Sequence, residues 1–336
     1  MKKIVWVIGL LIVAFFLPGC DQGDTNASSN NENNLPSDTN YRQEMRDFVQ
    51  GISAYSRAIK PGFIVIPQNG HELLTENGEA TGTPVTAYLD AISGVGREDL
   101  FYGYDSDNTA TPYYATDYFL GFMELAKNNG IKVLAIDYCS THAFMDDSYI
   151  QNEARGYISF AADHRDLDDI PLYPPHPYQV NVVDITSLNE ARNFLYLINP
   201  GSFADKVSFL NAVRDTNYDA VILDLFYNDE SLTAGEIASL KVKYNGASRL
   251  VISYMSIGEA EDYRYYWKTE WKSNPPPWLA EENPDWSGNY KVRYWEKDWQ
   301  DIVYGHDDSY LQKILDAGFD GAYLDIIDAF EYFENK

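Results

Sequence analysis

The chain has 336 residues, with 51 acidic and 25 basic side chains and a formal net charge of −26 at pH 7. Phosphate binding needs a basic face, so this charge excludes nucleic acid as an expected partner and favours neutral or cationic ligands. Aromatic residues make up 15% of the chain, and tyrosine and tryptophan suit both core packing and stacking on sugar rings.

The first forty residues have the pattern of an exported bacterial lipoprotein. Two lysines precede an apolar run of 14 residues, too short for a comfortable membrane span, and the tetrapeptide LPGC then ends at Cys20. LPGC resembles a lipobox, so we expect a signal peptide over residues 1–19 and a lipid on Cys20. Residues 20–40 are rich in Asn, Ser and Asp, which predicts a disordered tether. The expected location is the cell envelope, with the lipid as the membrane contact.

Apolar, β-rich runs alternate with helix-like segments over residues 41–336. The predicted strands are 63–68, 96–103, 132–139, 193–199, 218–226, 249–257, 291–295 and 321–328. Most are nearly continuous in apolar residues, as expected for parallel strands that are covered on both faces. Eight such strands predict an α/β fold, a single-domain (β/α)8 TIM barrel, and we expect a monomer. An open doubly wound sheet is the alternative, but the Gly-rich phosphate fingerprint typical of many such folds is absent.

Acidic and aromatic residues recur at the carboxyl ends of these predicted strands, which is where barrels of this kind carry their functional residues. The candidates are Gln68 and Asn69, Asp137 and Tyr138, Asp224 and Tyr227, Glu259 and Glu261, Trp295, and Asp325 and Asp328. Carboxylates that converge in a pocket repel one another, which raises the pKa of at least one and leaves a proton donor opposite an ionised partner. Glycoside cleavage needs that pair. No zinc-ligand spacing or serine-hydrolase elbow occurs, so we expect no metal and no cofactor.

Five segments resemble a family of extracellular glycoside hydrolases related to glycoside hydrolase family 114, the endo-α-1,4-polygalactosaminidases. They read PGFIVIPQNGHELL, GVGREDLFYG, YMSIGEAEDYRYYW, WLAEENPDWSGNYKVRYWEKDWQDIV and GFDGAYLDIIDAFEYF. The resemblance spans residues 41–336 and implies a TIM-barrel enzyme that cuts inside an extracellular, galactosamine-containing polysaccharide. The PQNG and EDLFYG blocks precede YLDIIDAFEYF here but follow it in the family, which implies a circular permutation.

The resemblance also suggests roles for individual residues. It aligns Glu261, rather than Glu259, with a glutamate of the family and Asp224 with one of its acids, so we predict Asp224 as nucleophile or base and Glu261 or Glu259 as general acid. The residues expected to position or stack on the sugar are Asp325, Asp328, Arg264, Tyr227, Tyr254, Trp267, Trp295, Gln68, Asn69, Asp137 and Tyr138. A surface barrel that binds glycan without cutting it is the alternative from another class, and a lyase or transglycosylase at the same site is a third.

Overall fold

The computed structural model describes residues 39–336. The predicted signal peptide, Cys20 and nearly all of the predicted tether lie outside the described residues. The strands are β1 Ile64–Pro67, β2 Gly94–Glu98, β3 Lys132–Tyr138, β4 Ile158–Ala162, β5 Phe194–Leu197, β6 Ala220–Asp224, β7 Phe226–Tyr227, β8 Glu230–Ser231, β9 Leu250–Ser256, β10 Glu259–Glu261, β11 Leu279–Glu282, β12 Asn289–Val292 and β13 Gly321–Asp325. The helices are α1 Tyr41–Ile59, α2 Thr86–Ala91, α3 Tyr113–Asn128, α4 His142–Arg155, α5 Lys206–Arg214, α6 Ala234–Leu240, α7 Lys297–Val303, α8 Tyr310–Ala317 and α9 Ala329–Glu334.

The fold is mixed α/β, with eight parallel strands at its centre. Five of them form one sheet in the order β1-β13-β9-β6-β5, and three form a second sheet in the order β2-β3-β4. A parallel bridge between Gln68 and Gly96 joins β1 to β2, and another between Ser159 and Asn193 joins β4 to β5. Each of these eight strands therefore has a parallel neighbour on both sides.

The register aligns the carboxyl ends of these strands at one edge. Asp325 at the end of β13 pairs with Ser256 at the end of β9, and Asp224 at the end of β6 pairs with Tyr254. The strands are almost wholly buried, as their apolar sequences predict. Polar side chains at this edge can therefore converge on a common space.

Helix α1, at the start of the described chain, packs against elements near its end. Its buried Met45, Phe48, Val49 and Ile52 follow the spacing of one helical face. The helix packs against α2, α8 and α9, and Arg42 near its start binds Glu334 near the end of the chain at 2.9 Å. The first helix of the described residues therefore lies beside the last one. Within residues 39–336, no helix combines the length and apolar character needed to cross a membrane.

One predicted strand was wrong, one strand of the structure was not predicted, and one predicted strand was shifted. The segment 291–295 is not a central strand: β12 ends at Val292 and pairs antiparallel with β10 and β11 in a small separate sheet. The parallel strand that the prediction lacked is β4, Ile158–Ala162. The predicted strand 96–103 begins and ends earlier, as β2, so its carboxyl end is Glu98.

Candidate active site

Two carboxylates meet at the carboxyl ends of β2 and β13. The side-chain nitrogen Nε2 of Gln68, which follows β1, donates to Oε2 of Glu98 at 2.8 Å and to Oδ1 of Asp325 at 3.1 Å. Gln68 is held there because its backbone N–H donates to the carbonyl of Leu324 in β13. Three strands thus bring an amide and two acids into one hydrogen-bonded group.

Glu98 accepts hydrogen bonds from three neutral side chains. Besides Gln68, Nδ2 of Asn69 donates to its Oε2 at 3.1 Å, and the Tyr138 hydroxyl donates to its Oε1. These three donors fix the position of the Glu98 carboxylate at the end of β2.

Asp325 is set up differently. Burial and then the nearby charge of Glu98 raise the pKa of Asp325 to about 7, against a lowering by the hydrogen bond from the Tyr254 hydroxyl. That hydroxyl donates to Oδ2 at 2.7 Å, and the backbone N–H of Ile326 donates to Oδ1 at 2.8 Å. A substantial share of the Asp325 side chains therefore carries a proton at neutral pH. The pair thus offers a proton donor, Asp325, beside a second carboxyl group.

The backbone directly after each of these three side chains is unusual. The residues that follow Gln68, Glu98 and Asp325 adopt left-handed φ values, at Asn69 (61°), Asp99 (58°) and Ile326 (59°). A β-branched residue such as Ile326 rarely adopts this conformation, and residues held in sparsely populated regions cluster at functional sites. The strained positions thus coincide with the group formed by Gln68, Glu98 and Asp325.

Gly258 helps to hold this strained turn. A Cβ atom at Gly258 would lie 2.1 Å from the carbonyl oxygen of Ile326 and 2.7 Å from the Cβ of Ala329. Glycine is needed because the backbone after β9 passes directly against the turn that follows Asp325. The close approach fixes the two chain segments beside the candidate centre.

A second cluster contains the predicted pair Asp224 and Glu261. Both bind Arg264: Asp224 accepts from Nη1 at 2.9 Å and from Nη2 at 2.7 Å, and Glu261 accepts from Nε at 2.5 Å. The Tyr263 hydroxyl also donates to Glu261 at 2.6 Å. Burial raises the pKa of Asp224, and the charge of Arg264 opposes that rise. The guanidinium thus gives both carboxylates a counter-charge.

Glu259 belongs to a third group. It binds Lys291 of β12 at 2.6 Å and accepts from Asn283 at 2.8 Å. Asp328 lies near the same lysine: burial raises its pKa to about 6, Lys291 lowers it, and Glu98 raises it. Although Glu259 and Glu261 are two residues apart in β10, they bind different cations. The two candidate glutamates therefore belong to separate ion-paired groups.

Not every predicted residue joins these three groups. Asp137 is buried and accepts from the Phe101 and Tyr102 backbones, from Ser148 and from Asn152. Tyr227 donates to the Phe203 carbonyl at 2.9 Å. Both side chains are thus engaged in hydrogen bonds inside the protein.

The two predicted tryptophans are also engaged in packing. Trp267 packs on Tyr290 with 4.8 Å between ring centroids. Trp295, which was assigned to a strand end, follows β12 and packs between Tyr41 and Phe333, at 5.0 and 4.7 Å. The sugar contacts expected of Asp137, Tyr227, Trp267 and Trp295 stay predictions that the packing does not favour.

Glu98 was missed by sequence reasoning. The predicted strand 96–103 ran through it, which placed it inside the strand and not at its end. The segment GVGR before it has two glycines and an arginine and lacks the continuous apolar run that selected Asp325, so the acidic pair Glu98 and Asp99 was the remaining signal. A strand ending at residue 98 would have added it to the candidates.

One group within residues 39–336 has the spacing of a metal site: Asp163, His164 and Asp169. Both ring nitrogens of His164 already contact carboxylates, Nδ1 with Asp163 at 2.8 Å and Nε2 with Asp168 at 2.6 Å. These contacts explain why a histidine stands among four aspartates without invoking an ion.

The sequence model of Glycoside-hydrolase family GH114 matches residues 200–336. That segment contains Asp325 and the Arg264 cluster, while Gln68, Glu98 and Tyr138 precede it. The chain is 39% identical over 158 residues to the uncharacterized protein MJ1477 of Methanocaldococcus jannaschii, 44% of each chain. An uncharacterized protein of Thermotoga maritima is 41% identical over 125 residues, 37% of each chain.

A third relative, an uncharacterized protein of Deinococcus radiodurans, is 39% identical over 127 residues, 38% of this chain and 39% of that one. The chain thus matches less than half of the length of each of these relatives. Through residues 200–336, the chain is related to glycoside hydrolase family 114.

Proposed function

We propose that the protein is a glycoside hydrolase whose catalytic pair is Glu98 and Asp325. One observation carries this assignment: the Gln68 amide holds two carboxyl groups together at the carboxyl edge, where burial and the neighbouring Glu98 raise the pKa of Asp325 to about 7. Glycosidases need such a pair of carboxyl groups, one of them able to donate a proton. The relation to family 114 supports the same reaction class.

In the proposed reaction, Asp325 donates its proton to the glycosidic oxygen while Glu98 attacks the anomeric carbon. Water then releases the sugar from Glu98, and Asp325 takes up one proton of that water. Two acceptors on either side of one amide nitrogen stand on the order of 5 Å apart, which is the carboxyl separation of retaining enzymes. We therefore propose retention of the anomeric configuration.

Asp224 with Glu261 is the rival pair, since the family resemblance suggested it. Arg264 binds both carboxylates at once, whereas the side chains that donate to Glu98 and Asp325 are neutral. In the proposed reaction, this cluster supports one wall of the site. Tyr254 connects the two groups, because the charges of Asp325 and Glu261 both act on its hydroxyl.

We propose a cationic polysaccharide as the substrate, one rich in deacetylated galactosamine, and cleavage within the polymer. The net charge of −26 supports this choice. So does a cavity of about 370 Å³ that is formed by the segments following β1 and β13 and by α3. It is lined by four carboxylates and one guanidinium, with Tyr118 among them: Glu72, Glu79, Glu331, Glu334 and Arg42.

We further infer that the eight parallel strands close into a (β/α)8 barrel and that the chain is a circular permutation of the family order. Barrel closure is supported by the two bridges that join the five-stranded and three-stranded sheets. Permutation is supported by the packing of α1 on α8 and α9. It is also supported by the position of Gln68 and Glu98 ahead of the matched segment.

We also propose export and lipid attachment at Cys20, on the basis of the LPGC motif alone. Labelling of cells with a fatty acid tests this. Incorporation into the wild-type protein and none into Cys20→Ser is expected, whereas equal labelling of both would contradict it.

The enzymatic proposal is tested by a screen for released reducing ends on amino sugar polymers and neutral polysaccharides. We expect short oligosaccharides from a polymer that contains galactosamine, with the α-anomer appearing first in an NMR time course if the cleaved bond is α-linked. Binding to a polymer without any release of reducing ends would instead favour the glycan-binding alternative.

A further inference from the structure

Gln68 has an unusual hydrogen-bond inventory at the centre of the candidate site. Its side-chain nitrogen donates to two carboxylates, but its side-chain oxygen Oε1 is buried and has no hydrogen-bond partner. The residue as a whole is 3% exposed. A buried acceptor without a donor is costly, by about 1–3 kcal/mol. An unpaired buried acceptor at this position therefore suggests a function for the atom.

The orientation of the amide is fixed by its surroundings. If the amide were turned over, Oε1 would face Oε2 of Glu98, and the hydrogen bond of 2.8 Å to that atom would become a contact between two acceptors. The nitrogen must therefore point between the acids. The oxygen, bonded to the same carbon atom, is left without a donor inside the group.

We propose that Gln68 is both a positioning and a specificity residue: its nitrogen sets the spacing of Glu98 and Asp325, and its free oxygen accepts a hydrogen bond from a substrate N–H or O–H group. This inference rests on the proposed glycosidase function. It assigns the two ends of one amide to two separate tasks. Substrates that lack a donor at this point would leave Oε1 unpaired and bind less well.

The charge state of Asp325 should depend on this amide. The titratable groups that act on Asp325 or feel its charge are Glu98, Asp328, Tyr196, Tyr254 and Tyr323. Donation by Gln68 favours the ionised form of Asp325, and the amide also stands between Asp325 and the negative Glu98. Removal of the amide therefore acts in one direction, since both effects raise the pKa of Asp325.

The first readout needs no substrate. In the full chain, the Asp325 carboxyl is titrated by carbon NMR in wild type and in Gln68→Met, which keeps the length of the side chain but loses the amide. The titration is expected to move to higher pH, with roughly a tenfold increase in proton affinity. An unchanged titration would overturn the positioning role. Gln68→Glu serves as a second variant, and a shift in the same direction is expected.

The second readout is kinetic, on a galactosamine polymer and on its N-trimethylated form, which keeps the positive charge but has no N–H donor. Gln68→Met is expected to lower kcat by about 100-fold and to move the alkaline limb of the pH profile upward. Loss of the Oε1 contact should also reduce the discrimination between the two polymers. A variant that discriminates as wild type does would overturn the specificity role.

Tyr323→Phe is the matched control, because the Tyr323 hydroxyl is also buried without a partner near the same carboxylates. It should leave kcat/KM within about twofold of wild type. If it behaves like Gln68→Met, Oε1 serves an interior network and the inference fails. If no polymer is cut by wild type but the NMR shift occurs, the proposed function fails while the positioning role stands.

Discussion

Asp325 and Asp224 are both aspartates at the ends of buried strands, yet their surroundings give them different chemistry. Asp325 has neutral donors, Gln68 and Tyr254, and an acidic neighbour. Asp224 has a guanidinium, which supplies a full counter-charge. Residue type and position could be predicted from the sequence. The difference between the two acids could not, because it depends on partners that are distant along the chain.

The pKa of Asp325, about 7, has a consequence for stability. The folded chain holds this proton more tightly than the unfolded chain, whose aspartates have a pKa of about 3.9. The resulting stabilisation is complete below about pH 4 and is lost as the pH rises through 7. The free energy of unfolding should therefore fall between pH 5 and pH 8, and fall less steeply in Asp325→Asn. Denaturant titrations at pH 5 and pH 8 measure the free energy of unfolding. An equal decrease between the two pH values in wild type and Asp325→Asn would contradict the prediction.

Arg264 provides a second test of the role of a single residue. Its side chain is 7% exposed and neutralises both Asp224 and Glu261. Arg264→Met leaves two buried carboxylates without a counter-charge, which should lower the free energy of unfolding by about 3–5 kcal/mol. Lys297→Met is the control, because Lys297 pairs with Asp301 on the surface and its loss should have little effect on the free energy of unfolding. Equal losses in the two variants would refute the role given to Arg264.

Among the elements, continuous apolar runs were the dependable signal. They predicted the positions of β1, β3, β5, β6, β9 and β13 within a few residues. Strand β4 was missed because Ser159 and two alanines dilute its apolar character. The segment 291–295 was misassigned because alternation of charged and apolar residues also marks a half-exposed antiparallel strand. Such a strand lies outside the central sheets. Whether a segment belongs to a central or a separate sheet depends on the strands with which it pairs.

Gly258 tests how tightly the elements around the site are packed. Gly258→Ala drives a methyl group into the Ile326 carbonyl and should destabilise the fold by about 1–3 kcal/mol. Gly235→Ala, in helix α6 with open space around it, should instead be neutral or stabilise by about 0.4–1 kcal/mol. Thermal unfolding of both variants measures the contrast. A neutral effect at Gly258 would mean that the turn after Asp325 relaxes freely.

On the scale of the whole molecule, the charge of −26 and the acid-lined cavity lead to a prediction about binding. Glu72→Gln combined with Glu331→Gln should raise KM for a cationic polymer by about tenfold at low salt and by less at high salt, because salt screens these charges. KM for the neutral N-acetylated polymer should not change. Glu153→Gln, which removes an acid on the opposite side near Lys132, is the control. A KM that is insensitive to both the substitutions and the salt would contradict the cationic substrate.

The central claim is that Glu98 and Asp325 carry the chemistry, and initial rates of reducing-end release test it most directly. The wild-type rate on a galactosamine polymer is compared with those of Glu98→Gln, Asp325→Asn, Asp224→Asn and Glu261→Gln, each checked for folding. We expect the rate to fall on the order of a thousandfold or more in Glu98→Gln and Asp325→Asn. Smaller losses of rate are expected in Asp224→Asn and Glu261→Gln. Wild-type rates in Glu98→Gln and Asp325→Asn, with abolished rates in Asp224→Asn or Glu261→Gln, would contradict it.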